Sequence, residues 1–157
     1  LFPRKLSRYA IWGESVLSPV HGIVVSVVDG LPDEQPTARG HECRAGNYIV
    51  IRPDSSPGVH LLLAHLRRSS IKVRPGDMVR QGRRLAEVGN SGQSDEPHLH
   101  MHCATIASDE CDGPTNYVRE GIGVPIVCEG RFLVRNSLVG VRRPEAVEVD
   151  QLATSTV

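Results

Sequence analysis

Three histidines alternate within six residues, in the segment PHLHMH at positions 97–102. Alternate side chains of a β-strand project from the same face, so His98, His100 and His102 would share one face. An imidazole needs partners for both ring nitrogens when it is buried, and it is a common metal ligand and proton-transfer group. The spacing therefore favours a metal site or a catalytic site. The alternative is a sheet face on which water solvates the histidines.

Short β-branched and apolar segments, separated by turn residues, surround this motif. No segment has a convincing helical period, and Asp29-Gly30 and Pro75-Gly76-Asp77 are typical turn sequences. Many short strands at close spacing predict an all-β domain, built as an antiparallel sheet or sandwich with a groove. The predicted strands are residues 23–28, 47–52, 59–66 and 98–106, followed by a hairpin of GVPIV and RFLVRN around Glu129-Gly130.

The composition is that of a globular protein. The 157 residues suffice for one domain with a core, and 39% of them are hydrophobic. Eighteen basic residues balance eighteen acidic ones, so the chain lacks the excess positive charge that binds nucleic acid or an anionic membrane. No apolar run approaches the ~20 residues of a membrane-spanning helix. We therefore expect no nucleic-acid partner and no membrane span.

The chain has four cysteines, and no two of them form a CxxC pair. They are at positions 43, 103, 111 and 128. A redox motif or a cysteine-rich zinc knuckle is therefore not expected. Cys103 and Cys111 bracket a short loop and could pair outside the cytosol. Free, buried thiols are the equally weighted alternative.

Several segments in the same order resemble the lysostaphin- and LytM-type zinc metallopeptidases. These segments are LLLAHL, then VRPGDMVRQGRRLAEVGNSGQSDEPHLHMH, with GESVLSPVHGIVVSVVDG and GNYIVIRP upstream. The resemblance covers residues 13–104. It implies a β fold of the duplicated hybrid motif type with a site in a groove, a zinc cofactor, and hydrolysis of peptide bonds in bacterial peptidoglycan. It also implies an extracytoplasmic location, in the periplasm, in the cell wall or as a secreted protein.

The resemblance also implies roles for three histidines. His100, the second histidine of the Pro-His-Leu-His strand, would be a zinc ligand. His98, the first histidine of that strand, and His65, of the Ala-His-Leu segment, would be catalytic residues beside the zinc-bound water. Histidine suits proton transfer because its unperturbed pKa lies near neutral pH.

The other four histidines receive no such role. His102 falls where relatives usually have Glu, Gln or another polar residue, and it is left unassigned. His21 lies in a turn where relatives have a small or acidic residue, so we do not expect a ligand there. His41 and His60 match no motif position and are predicted to be surface residues.

In this family the other two zinc ligands come from an upstream His-x-x-x-Asp element. Residues 1–12, LFPRKLSRYAIW, contain neither His nor Asp. We expect that the chain is truncated and inactive as given, with residues 1–12 a remnant, 13–136 the metallopeptidase-like domain and 137–157 a polar tail. The alternative is a degenerate, non-catalytic relative that binds cell walls or activates another hydrolase. Completion of the site by His102, Cys103 or Asp95 is less favoured, because Asp95 suits a turn and adjacent strand residues face opposite sides.

Two further protein classes rank lower. The segment VRPGDMVRQGRRLAEV resembles a biotinyl or lipoyl carrier, but such a carrier needs a modifiable lysine at a hairpin tip, and neither Lys5 nor Lys72 has that context. Sugar-phosphotransfer modules also use two facing histidines without zinc. The segment NSGQSDEPHLH fits the peptidase pattern better.

Overall fold

The computed structural model describes residues 3, 5–36, 43–105, 122–128 and 131–132. The chain divides into two compact units, Leu1–Ile126 and Val127–Val157. In the second unit, β9 (Val127–Cys128) and β10 (Arg131–Phe132) pair antiparallel, which confirms the predicted hairpin in part. Gly123 and Val124, predicted to belong to its first strand, pair instead with Ala104 and Cys103. His41, Cys111 and the predicted tail at 137–157 lie outside the described residues. No helix within the described ranges is long and apolar enough to cross a membrane.

The first unit is built from short strands joined by turns. One six-stranded antiparallel sheet has the order β5-β2-β3-β4-β7-β8, and β1 pairs with β6 in a separate two-stranded sheet. The described strands confirm the predicted all-β, antiparallel fold class. The elements are a 3-10 helix at Leu6–Arg8, β1 (Ser15–Leu17), β2 (Gly22–Val28), β3 (Asn47–Pro53), β4 (Val59–Leu66), β5 (Met78–Val79), β6 (Arg84–Glu87), β7 (His100–Thr105) and β8 (Ile122–Val124).

The central strands bury side chains on both faces. In β3, Ile49 and Ile51 face the β1–β6 sheet, whereas Tyr48 and Val50 face the opposite side. Each buried Ile or Val contributes about 1.5–3 kcal/mol relative to an exposed one. We call the first set the inter-sheet core; it comprises Val16, Val24, Ile49, Ile51, Leu63, Leu66, Val73, Val79, Leu85, Ala86 and Val88. The second set, the groove-side cluster, comprises Ala45, Tyr48, Val50, Leu62 and Ala64.

His60 corrects one expectation. The sequence analysis predicts a surface residue, but His60 is only 6% exposed. It pairs with Ala104 within β4, a strand that lies between β3 and β7. A central strand of this sheet buries both of its faces. The sequence of a strand does not show whether that strand lies at the centre or at the edge of its sheet.

A β-bulge interrupts β4 near its carboxyl end. Leu63 pairs with Ile49, and Leu66 pairs with Asn47, so β4 has one more residue in this interval than β3. Such an extra residue shifts the alternation of side chains. As a result Leu63 and Leu66 both reach the inter-sheet core, and His65 is turned toward the groove side.

The loop before β3 and the loop after β6 pack backbone against backbone. Gly46 has φ +64°, and a Cβ there would lie 2.3 Å from the Ser91 carbonyl oxygen. The Asn47 backbone N–H donates to the Ser91 hydroxyl at 2.9 Å, and that hydroxyl donates to the Leu66 carbonyl at 2.7 Å. Asn47 and Ser91 are fully buried, and these hydrogen bonds satisfy their polar groups. Only glycine allows the two loops to approach this closely.

Gly46→Ala should destabilise the protein far more than Gly82→Ala. Both residues have positive φ, but a Cβ on Gly82 meets nothing within 4 Å. Gly82→Ala should therefore cost only the left-handed strain of about 1–2 kcal/mol, whereas the clash at Gly46 adds about 1–3 kcal/mol. Urea unfolding of the two variants measures the difference. Equal losses would show that the close approach of the loops is unimportant.

Candidate active site

Three histidines from two segments of the chain converge on one side of the sheet. The ring centroids of His65 and His98 are 4.7 Å apart, and those of His65 and His100 are 5.8 Å apart. One ligating atom from each of the three rings lies within 4.8 Å of the others. The structure thus brings together the three residues to which the sequence analysis gave roles, with His65 and His100 on the same side of the sheet. We call them the histidine trio.

The bulge in β4 and the loop after β6 together position His65. Its backbone has φ 60°, which is uncommon outside glycine. The His65 N–H donates to the Ala45 carbonyl at 3.0 Å, and the Gly89 N–H donates to the His65 carbonyl at 3.1 Å. The ring Nδ1 lies 2.8 Å from the Ser91 carbonyl oxygen. A carbonyl can only accept, so Nδ1 carries the proton and Nε2 keeps its lone pair.

Hydrogen bonds within the loop that precedes β7 position His98. Its Nδ1 lies 2.8 Å from the Glu96 carbonyl oxygen and 3.2 Å from the Ser94 hydroxyl. The Ser94 hydroxyl also lies 2.8 Å from Oδ1 of the buried Asn90 side chain. Because the Glu96 carbonyl accepts, Nδ1 of His98 also carries the proton, and Nε2 is again the nitrogen with the lone pair.

His100 has a different partner. Its Nε2 lies 2.8 Å from Nδ1 of His102, and the two rings meet edge to face with centroids 5.1 Å apart. Both residues lie on β7, two positions apart, and therefore on one face. Opposite them on β4 are Ala64 and Leu62. The prediction that His98, His100 and His102 share one face of a strand is confirmed for His100 and His102 only. β7 begins at His100, and His98 lies in the loop before it, where hydrogen bonds to Glu96 and Ser94 hold its ring.

The trio lies in an open groove of about 540 Å³. Small and apolar side chains of the groove-side cluster line it beside the histidines, and charged side chains lie there too. A peptide could therefore contact both apolar and polar groups. The groove-lining residues besides the trio are Arg44, Ala45, Leu62, Ala64, Gln93, Ser94, Asp95 and Glu96.

Burial lowers the pKa of three imidazoles at this site. For His65, desolvation is the largest cause; the Ser91 hydrogen bond opposes it, and His98 and His100 add to it. For His100, desolvation again comes first, followed by His102 and His98. Desolvation also lowers the pKa of His102. The neutral imidazole is thereby favoured at neutral pH, and this is the form that binds a metal ion or accepts a proton.

The donor set of the trio fits a zinc ion. Zinc binds imidazole nitrogens and accepts three protein ligands with an open fourth position. The described trio places imidazole nitrogens close enough together in an open groove for one ring to bind the metal ion and the others to lie beside its open position. Within the described residues, no further His, Cys, Asp or Glu joins this group.

Other candidates from the sequence lie apart from the trio or beside it. His21 is exposed and is not a member of the trio, and Asp95 forms part of the bend before His98. Cys43 and Cys103 are free thiols, and burial raises the pKa of Cys103. The side chain of Cys128 is not among those described.

Sequence reasoning missed the residues that hold the imidazoles. Ser91 and Ser94 belong to the segment GNSGQS, which suggested a turn but no role for their side chains. Asn90 and Asn47 are fully buried and accept or donate several hydrogen bonds. Apart from Ser94, which lies four residues from Asn90, their partners are 16 to 57 residues away in the chain. The one sequence feature that could have indicated these residues is the presence of glycine beside Asn47, Asn90 and Ser91.

The metal-free protein should lose stability as the pH falls below about 6.5, the ordinary histidine value. The folded-state pKa of His65 and His100 is lowered, so the unfolded chain binds more protons in this range, and acid favours unfolding. Urea unfolding at several pH values between about 7.5 and 5.5 measures the free energy of unfolding. The pH dependence should weaken in His100→Gln. A stability that rises on acidification would contradict these pKa directions.

The solved structures to which the chain is similar include catalytic domains of peptidases. The chain is 23% identical to the catalytic domain of the antimicrobial peptidase lysostaphin from Staphylococcus simulans, covering 62% of this chain and 64% of that one, with a TM-score of 0.47. For a variant of the catalytic domain of the prophage-encoded M23 protein EnpA from Enterococcus faecalis, the identity is 21%, the coverage 64% and 65%, and the TM-score 0.49. For a zinc-containing peptidase from Vibrio cholerae, the identity is 28% and the TM-score is 0.44, and the match covers 58% of this chain and 23% of that one. The chain thus spans less than two thirds of the length of each.

The family model described as Peptidase family M23 matches residues 8–109. This match covers most of the first unit, including the β4 bulge, the loop after β6 and all three histidines of the trio. The chain therefore belongs to peptidase family M23.

Proposed function

We propose that this domain is of the zinc metalloendopeptidase type and acts on peptide bonds of bacterial peptidoglycan, outside the cytoplasm. In this proposal His100 is a zinc ligand, and His65 and His98 are the catalytic residues. The observation that carries it is the convergence of these three imidazoles in a groove of a family M23 chain. The lysostaphin and Vibrio cholerae structures, both of peptidases, agree with the proposal.

The chemistry that zinc supplies when bound is activation of a water molecule and polarisation of the scissile carbonyl. The residues of this chain would hold the substrate and move protons. His65 and His98 each present an Nε2 lone pair, because their Nδ1 protons are donated to backbone carbonyls. Either ring can therefore accept a proton from water and, once protonated, donate it to the developing oxyanion or to the leaving amine.

The apolar floor of the groove and its polar rim support a peptide substrate. Ala45 and Ala64 leave room for a backbone to approach the trio, because their side chains are small. Arg44 and Glu96 place opposite charges along the rim. Peptidoglycan peptides carry both carboxylates and amines, which such a rim can contact.

A second candidate is a non-catalytic module that binds cell walls or activates another hydrolase. The observation that favours it is the small number of zinc ligands. Within the described residues only the trio comes together as a possible metal site. With His65 and His98 assigned to catalysis, this leaves His100 as the one zinc ligand among the described residues.

In the natural protein, His100→Ala should abolish zinc-dependent hydrolysis of peptidoglycan, whereas His102→Ala should retain much of it at saturating zinc. A ligand cannot be removed without loss of the metal, whereas His102 does not belong to the trio. Release of new amino groups from purified peptidoglycan measures the reaction. Equal loss in both variants would mean that the ligand is misassigned. Absence of hydrolysis in the wild type, with retained binding to peptidoglycan, would favour the second candidate.

Elemental analysis of residues 1–157 after dialysis against a weak chelator should give a zinc content near zero. A single imidazole ligand does not hold zinc against a chelator. His100→Ala is the matched control, and it should differ little from the wild type under these conditions. One firmly held zinc per chain would contradict the assignment of His100 as the only ligand among the described residues. Zinc content would then be measured in His65→Ala and His98→Ala to find which ring is a further ligand.

A further inference from the structure

Each ring of the histidine trio has one nitrogen engaged in a hydrogen bond and the other left for chemistry. For His65 and His98 the engaged atom is Nδ1, and the partner is a backbone carbonyl. For His100 the engaged atom is Nε2, and the partner is the Nδ1 of His102. A carbonyl fixes the tautomer of its partner because it only accepts. A neutral imidazole nitrogen can either donate or accept, so His102 leaves two arrangements open.

The two arrangements differ in what His100 can bind. If His102 accepts, Nε2 of His100 carries the proton, and Nδ1 of His100 keeps a lone pair. If His102 donates, the proton of His100 is on Nδ1, and neither nitrogen of His100 is available to a metal ion. A histidine ligand to zinc needs an unprotonated nitrogen, and its other nitrogen commonly donates to a neighbouring group.

We propose that His102 is a positioning residue that accepts the Nε2–H of His100 and so selects the tautomer of His100 that presents Nδ1 to the metal ion. This inference rests on the proposed role of His100 as a ligand. The position of His102 suits the task. It lies opposite Leu62 in the pairing of β4 with β7, and its half-buried ring meets the His100 ring edge to face. The pairing of β7 with β4 and the contact between the two rings therefore keep Nδ1 of His102 beside Nε2 of His100.

The position of the acceptor atom allows a matched pair of variants. Oδ1 of an asparagine stands two bonds from Cβ, as Nδ1 of a histidine does, so His102→Asn can keep an acceptor beside His100. In His102→Leu the leucine side chain is similar in size to that of asparagine but has no polar atom. Since His102 is partly exposed, neither variant buries a new polar group without solvent. The exposed His21, changed to Leu, serves as the control for loss of a histidine elsewhere.

The first readout is the tautomer of His100 in the metal-free protein, from ¹⁵N-edited NMR of residues 1–157 at about pH 8, above the ordinary histidine pKa of about 6.5. Wild type, His21→Leu and His102→Asn should have the His100 proton mostly on Nε2. His102→Leu should give a mixture of the two tautomers. An unchanged His100 tautomer in His102→Leu, or a proton on Nδ1 in the wild type, would overturn the proposal.

The second readout is the zinc dissociation constant of the same four proteins, followed through the His100 NMR signals as excess zinc is added, because a single ligand should hold zinc only weakly. The dissociation constant should rise about 10–100-fold in His102→Leu and stay near the wild-type value in His102→Asn. Equal affinities for wild type and His102→Leu would overturn the positioning role. If the His100 signals of the wild type do not respond even to a large excess of zinc, the proposed role of His100 as a ligand fails, while the tautomer measurement still decides whether His102 accepts from His100. Should His102→Leu not fold, a weakened affinity in His102→Ala relative to His102→Asn provides the same comparison.

Discussion

The hydrogen bond from Nδ1 of His65 to the Ser91 carbonyl joins the two parts of the structure on which the site depends. On one side is the bulge of β4, where His65 adopts a left-handed backbone conformation that costs about 1–2 kcal/mol. On the other side is the loop that leads from β6 to His98 and His100. Each net hydrogen bond contributes about 0.5–1.5 kcal/mol, so the backbone bonds to Ala45 and from Gly89, with the ring bond to Ser91, together offset the strain. The strained backbone persists because the surrounding contacts over-determine it.

Ser91 can act as this fixed point because it is itself held on three sides. Its hydroxyl accepts from the Asn47 backbone and donates to the Leu66 carbonyl, and its backbone lies against Gly46. Leu66 belongs to the inter-sheet core, and Asn47 begins β3. The core that packs the two sheets is therefore connected by hydrogen bonds to the ring of His65. A disturbance of packing at the end of β4 would therefore also displace the imidazole of His65.

The sequence predicted the strands well because their β-branched runs and turns are local signals; the predicted strand 59–66 coincides with β4, and 23–28 lies within β2. Alternation also placed His100 and His102 on one face. The same rule fails for His65, since regular alternation would turn it away from the face of Ala64, and its convergence with His100 followed from family resemblance alone. The bulge depends on pairing between β3 and β4 and on a loop 26 residues away at Ser91, so no local pattern reveals it. His60 was misplaced for a related reason, because strand order within a sheet is a long-range property.

The three imidazoles of the trio are held by two kinds of partner, and this difference decides which part of the site a substitution can alter. His65 and His98 donate to main-chain carbonyls, so no side-chain replacement at Ser91 or Glu96 removes their acceptors as long as the loop keeps its path. His100 depends on a side chain, the ring of His102, which can either accept or donate. The basicity and the tautomer of His100 are thus the adjustable quantities of this site, and the geometry of the other two rings is set by the backbone.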